Sequence, residues 1–397
     1  MPTESAFLLA GLLFIAAALG YVFAKFGDTE DDEGGGSAQL SSDYLKGLNY
    51  VLNEQPDRAV ELFTRMAELD DEALETHFAL GSLFRKRGEV DRAIRVHQNL
   101  MARPSLSQAH KDQAEAALAE DYLSAGLFDR AENLFQKLCD SSEFRVAALR
   151  RLVRIYEITR EWGRAIEVRA ELDHAQEGWD REPAPGAEVA HYYCEIAEQA
   201  RAQQDLTKAR EMLKHADSCR ERTVRSQLAR ADLDSDSGRY RDALRGYQNV
   251  VKAVPHLVID ILPRLVVAYR ELDDEPGLDA ELRRLIGSDE QHVAAVAMGA
   301  IRYPDLDHPV MLDALLQFIA ADPTLNGLIG VERIETASIE ERAELLDRVR
   351  QALRSIVATK AGYRCTECGY ACRSLQWQCP GCRAWETVEP EAQLRLT

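Results

Sequence analysis

Residues Gly81 to Met101 read GSLFRKRGEVDRAIRVHQNLM, and this stretch decides the fold. Gly81 is followed three positions later by Phe84 and twelve positions later by Ala93. The same spacing recurs along the chain. Gly47, Ala119, Val153, Ala197 and Ala231 each stand twelve residues before an alanine: Ala59, Ala131, Ala165, Ala209 and Ala243. Tyr50, Tyr122 and Tyr156 take the place of Phe84 in three of these copies. Successive alanines are 34, 38, 34, 44 and 34 residues apart. The longest interval holds GWDREPAPG, from Gly178 to Gly186, a loop by composition.

A 34-residue period of this kind is the tetratricopeptide pattern. Each unit is a helical hairpin whose small residues let two helices approach closely. One hairpin cannot bury its apolar face alone, so stacking makes the core. Val266, Tyr269 and Ala280 predict a seventh hairpin with an irregular turn at Pro276-Gly277. Residues Pro309 to Ala358 read as further, degenerate hairpins. The fold class expected is all-α, a tetratricopeptide superhelical solenoid.

The N-terminus breaks the pattern. Ala6 to Ala24 (AFLLAGLLFIAAALGYVFA) carries no charge over 19 residues. At ~1.5 Å per residue it spans roughly 28 Å, close to the ~30 Å of a bilayer's hydrocarbon core. The n-region holds Glu4 and no base, and the apolar run exceeds that of a signal peptide. An uncleaved transmembrane helix in residues 1–24 is expected, then an acidic, Gly-rich linker in 25–40. Lys25 on the C-terminal flank favours a cytoplasmic body. Repeats are expected over 41–358.

The far end carries chemistry. Five of the eight cysteines fall between Cys365 and Cys382. YRCTECGY (Tyr363 to Tyr370) and WQCPGCRAW (Trp377 to Trp385) place Cys365, Cys368, Cys379 and Cys382 as two C-x2-C pairs, ten residues apart. Four thiolates close a tetrahedral metal shell. A module of 359–397 is too small to hold itself by core burial, so metal decides whether it folds. Cys372 is surplus to the shell. Cys139, Cys194 and Cys219 fall on repeat helices and read as small buried residues. Ligand type leaves iron and zinc both open.

Composition narrows function. The net charge is −19, with 67 acidic against 48 basic residues, which argues against nucleic-acid binding. The last 38 residues are slightly positive but hold no basic run. No phosphate-binding loop, His-Glu-x-x-His or nucleophile elbow is present, and no catalytic constellation emerges. On the inner face of the solenoid, Phe78, Arg85, Lys86, Arg150 and Arg154 form a candidate partner surface.

The two knuckles, C-x-x-C-G-Y and C-P-x-C, resemble those of rubredoxins, which hold iron. The gap between them is shorter here, and Arg383 stands where the second knuckle usually has glycine. The anchor, the repeats (Gly81 to Met101, Tyr122 to Phe135) and the cysteine module (Tyr363 to Trp385) together resemble the lipopolysaccharide assembly protein B family. That resemblance implies a non-catalytic regulator of lipopolysaccharide synthesis at the bacterial inner membrane, with its body in the cytoplasm. It implies that the protein holds the deacetylase committing material to lipid A and passes it to a membrane AAA protease. It also implies that other lipopolysaccharide enzymes gather at the membrane, and that the four metal-binding cysteines are Cys365, Cys368, Cys379 and Cys382. Two other classes share these features: a membrane-tethered rubredoxin-like electron carrier and a general tetratricopeptide co-chaperone.

Overall fold

The computed structural model describes residues 43–390, apart from 48, 52, 54, 70–73, 105, 177–184, 220–222, 288–289, 304–305, 307, 330–333, 335, 337 and 360–361. The expected membrane anchor and linker lie outside the described residues. Among the described residues, no helix is long and apolar enough to cross a membrane. The chain divides into two compact units, 1–159 and 160–397.

The first unit contains α1 (Pro56–Leu69), α2 (Leu74–Lys86), α3 (Val90–Met101), α4 (Gln108–Ser124), α5 (Phe128–Leu138) and α6 (Arg145–Thr159). Helices α2 and α3 pair, as do α4 and α5. The reason is the small residues. A Cβ added to Gly81 on α2 would come within 2.5 Å of His97 Cε1 on α3, so only glycine admits the ring. Ala59, Ala93 and Ala131 are each fully buried where a larger side chain would push the helices apart.

The second unit contains α7 (Trp162–Gln176), α8 (Pro185–Ala202), α9 (Leu206–Ser218), α10 (Val224–Asp236), α11 (Tyr240–Ala253), α12 (Val258–Glu271), α13 (Glu275–Ile286), α14 (Glu290–Arg302), α15 (Pro309–Ala321), α16 (Pro323–Ile329) and α17 (Ile339–Thr359). Hairpins α8/α9 and α10/α11 follow the repeat, and Ala165, Ala209 and Ala243 are buried. Further on, α14 packs against both α15 and α17. One core of buried apolar residues takes in side chains from Leu228 to Leu353.

The turn between paired helices has its own register. Among the described residues, five positions before Ala93, Ala131, Ala165, Ala209, Ala243 and Leu278 the backbone takes a positive φ: Gly88, Gly126, Arg160, Gln204, Gly238 and Asp273. Glycine adopts this conformation freely, whereas the other three accept a strain of about 1 kcal/mol. This register corrects the reading of the seventh hairpin. Leu278, fully buried, occupies the alanine position, and Ala280 is exposed. The irregular turn is also displaced. Asp273 makes the turn, Asp274 caps α13 by accepting from the Gly277 N–H, and Pro276 sits in the first helical turn. Proline suits that place, because the N–H it lacks has no partner there anyway.

After α17 the chain forms a three-stranded antiparallel sheet in the order β2-β1-β3: β1 (Tyr363–Cys365), β2 (Ala371–Cys372) and β3 (Val388–Pro390). Tyr363 pairs with Cys372, and Cys365 with Val388.

Candidate metal centre

Each C-x2-C pair closes on itself as a knuckle. In the first, the Gly369 N–H donates to the Cys365 carbonyl at 3.0 Å, and Cys365 N–H to the Tyr370 carbonyl at 2.8 Å. In the second, the Arg383 N–H donates to the Cys379 carbonyl and the Cys379 N–H to the Ala384 carbonyl. The residue after each second cysteine must take a positive φ, and Gly369 and Arg383 both do, at 74° and 64°. Arg383 therefore follows the backbone path that glycine takes in the first knuckle.

The knuckles bring the four predicted cysteines together, with all Sγ atoms within 4.8 Å of one another. Cys365 Sγ lies 3.7 Å from Cys382 Sγ, and Cys368 Sγ 3.6 Å from Cys379 Sγ. A tetrahedron with bonds of about 2.3 Å to sulfur has edges of roughly 3.8 Å, so the donor set fits one four-coordinate ion. A disulfide needs about 2.05 Å, and the cysteines are free. Cys365 Sγ and the Thr387 hydroxyl are hydrogen-bonded at 3.3 Å, and backbone hydrogen bonds from Cys368 and Glu367 add to this. These hydrogen bonds pull the Cys365 thiol down to about 6, toward the thiolate a metal requires. Cys365 and Cys379 are buried, whereas Cys368 and Cys382 face solvent.

The remaining cysteines stand apart from this centre. Cys372 Sγ lies 3.4 Å from the Ser374 carbonyl. Cys194 is buried and its thiol is pushed up to about 12 by that burial, while Cys139 and Cys219 are half-buried.

The module does not hang free of the repeats in its unit. Trp385 lies flat on His191 of α8, with ring centroids 4.6 Å apart and planes at 7°. It meets Trp162 and Tyr192 edge-on, at 6.2 and 6.0 Å. Beside it Arg225 of α10 is only 1% exposed. Its guanidinium binds Glu195 at 2.8 Å and Glu198 at 3.0 Å, and lies 5.7 Å from the Trp385 ring centre and 5.9 Å from that of Trp377. Its backbone N–H donates to Glu386 at 3.1 Å. At the other edge of the module, the Tyr363 hydroxyl donates to Asp260 of α12 at 2.5 Å and accepts from Arg302 of α14 at 3.0 Å. Burial pushes the Asp260 carboxyl above its ordinary value, which the Tyr363 hydrogen bond opposes. None of these contacts is encoded by a motif. The one visible signal was tryptophan and tyrosine crowded around the cysteines.

The predicted partner surface on the first unit has a different character. Phe78 is buried against His97, 6.1 Å between ring centres. Arg85 is held by Asp121 at 2.5 Å, and the other Asp121 oxygen accepts from His97 Nδ1, also at 2.5 Å. Asp121 and His97 are both fully buried, so this triad fastens α2, α3 and α4 together. Lys86 and Arg150 are exposed and Arg154 is half-buried. Sequence reasoning missed Asp121, whose burial follows from its position one turn after Leu118 on the buried face of α4.

Stacked small-residue hairpins closed by a four-thiolate ribbon define a class: tetratricopeptide proteins carrying a rubredoxin-type metal module. Residues 363–390 match the family described as Rubredoxin metal binding domain, and 76–108 match Tetratricopeptide repeat. The chain is 35% identical to Lipopolysaccharide assembly protein B of Escherichia coli, covering 96% of this chain and 97% of that one. It is 33% identical to the protein of the same name from Haemophilus influenzae, covering 96% and 98%. The chain belongs to the lipopolysaccharide assembly protein B family. Its repeats are also similar to a crystal structure of MamA protein at 16% identity, over 45% of this chain and 89% of that one, with a TM-score of 0.34.

Proposed function

We propose that this protein is a non-catalytic adaptor in lipopolysaccharide assembly, held at the bacterial inner membrane by Ala6 to Ala24 with its body in the cytoplasm. The observation that carries the reading is the 35% identity, over nearly the whole of both chains, to a protein named for lipopolysaccharide assembly. In this reading the repeats hold the lipid A pathway deacetylase and present it to a membrane AAA protease. Confinement to the membrane plane raises the effective concentration of client near protease. Other lipopolysaccharide enzymes gather on the same scaffold.

Cys365, Cys368, Cys379 and Cys382 would hold one ion, iron by likeness to rubredoxins or zinc by the same ligand chemistry. Bound there, the ion supplies the fold of the module. Metal analysis with a visible spectrum separates the two: a colourless protein with one zinc per chain, or a red one with iron.

The deciding experiment is a pull-down from membrane extract, joined to a measurement of deacetylase lifetime. Capture of the deacetylase and the protease, with the deacetylase long-lived when the adaptor is deleted, supports the reading. A broad list of unrelated clients with unchanged deacetylase lifetime overturns it in favour of a general co-chaperone.

A further inference from the structure

The ribbon is seated on the helices of its unit at two edges, by Trp377, Trp385 and Glu386 around Arg225 and by Tyr363 on Asp260 and Arg302, and each edge lies next to metal ligands in sequence. Tyr363 stands two positions before Cys365, and Trp385 three positions after Cys382. The spacing between the two edges depends on the fold of the module. Among the described residues, its own buried core is Tyr363, Cys365, Cys379 and Val388. Its strands are three, two and three residues long. Ordering the module costs far more conformational entropy than so few buried side chains return. The four sulfurs must be tied together for Tyr363 and Trp385 to hold their separation.

The surface under the ribbon is built to be covered. His191 and Trp162 are buried, His191 stacked on the face of Trp385 and Trp162 meeting it edge-on. Arg225 is buried between two carboxylates and two indoles. Lifting the ribbon returns a guanidinium, an imidazole and an aromatic slot to water. Meanwhile Cys368 and Cys382 face solvent, so the ligands are within reach of a competing chelator.

We infer that metal occupancy is a latch on the repeat surface: with the four thiolates on one ion the α8–α10–α12 face is covered, and without it the ribbon lifts and that face opens. Tyr363 and Trp385 are the positioning residues that couple the two. The coupling is reciprocal, because a contact made only by the metal-bound shape must also strengthen metal binding. This inference stands on the seam alone and is independent of which client the repeats serve.

The test uses the full-length, detergent-solubilised protein carrying its metal. The metal is removed with a chelator, and amide hydrogen exchange is followed segment by segment, together with tryptophan emission. Exchange in 185–202 and 224–236 is expected to rise at least tenfold and to recover when the metal ion is added back, while 74–138 stays unchanged. Exchange that rises only within 363–390 overturns the inference. Trp385→Ala provides the second arm. It is expected to open the same helices and to weaken metal binding at least tenfold in a chelator competition, with 74–138 still protected. If Trp385→Ala leaves both the helices protected and the metal affinity unchanged, the latch does not exist.

Discussion

The Trp385 indole and the His191 imidazole are stacked 4.6 Å apart and within 7° of parallel, joining the metal module to a repeat helix. The same seam buries His191 and disfavours its charged form. Burial, aided by the Arg225 charge, pushes its imidazole down to about 3. An exposed imidazole titrates near 6.5. The charged form is therefore excluded from the closed seam.

Acid should consequently loosen the seam. The seated pKa lies below the free one, so His191's contribution is complete above pH ~6.5 and is lost as pH falls toward 3. At pH 5.5 the loss is about 1.4 kcal/mol. Glu198 and Glu386 act in the opposite sense, because burial raises both carboxyls and favours the seated form at lower pH. Their windows open at the ordinary 4.5 and extend upward, so they oppose His191 within its own window, and the His191→Phe variant separates the two contributions. Tryptophan emission titrated between pH 7.5 and 5 should report the opening. His191→Phe should flatten that profile, and an unchanged profile in the variant would assign the effect elsewhere.

Not every cysteine near the centre should matter. Cys365→Ser removes a ligand and is expected to abolish metal binding and unfold 363–390. Cys372→Ser changes a thiol that lies 3.4 Å from the Ser374 carbonyl and outside the group of four. It should keep one metal per chain by elemental analysis, and loss of metal there would redraw the ligand set.

The two knuckles make a paired prediction. Gly369→Ala forces a side chain into φ 74° and should cost about 1 kcal/mol of module stability. Arg383→Gly relieves the same conformation at φ 64° and should leave stability equal or raise it by up to ~1 kcal/mol. Metal affinity measured by chelator competition will rank the three chains.

Gly81→Ala should damage the first unit. The new Cβ would fall within 2.5 Å of His97 Cε1, and moving that ring strips Asp121 of a buried hydrogen bond. Overpacking together with the orphaned carboxylate oxygen should cost roughly 2–4 kcal/mol in denaturant unfolding. His97→Ala makes room for the methyl group, so the double variant should lose less than the sum of the two single ones. Strict additivity would show that the ring and the glycine are not coupled.

Much of this was legible in the sequence, for local reasons. The registered alanines and the C-x2-C pairs act over a few residues, so their spacing carries their meaning. The seventh hairpin was misread because Pro276-Gly277 looks like a turn, whereas proline is equally at home in the first turn of a helix. Leu278 escapes a register read in small residues alone. Phe78 and Arg85 were placed on the inner face by position, without sight of His97 and Asp121 to which they pack.

By itself the sequence determined the repeat and the metal shell. Period and ligand spacing are properties of short segments, and backbone geometry converts them directly into hairpins and a tetrahedron of sulfurs. Only the tertiary structure decided what the metal shell is fastened to. Arg225 meets Glu386 across 161 residues and Asp260 meets Tyr363 across 103. Pairings at that distance leave no periodicity. They exist because stacking the hairpins brings α8, α10, α12 and α14 to the one face on which Tyr363 and Trp385 are seated.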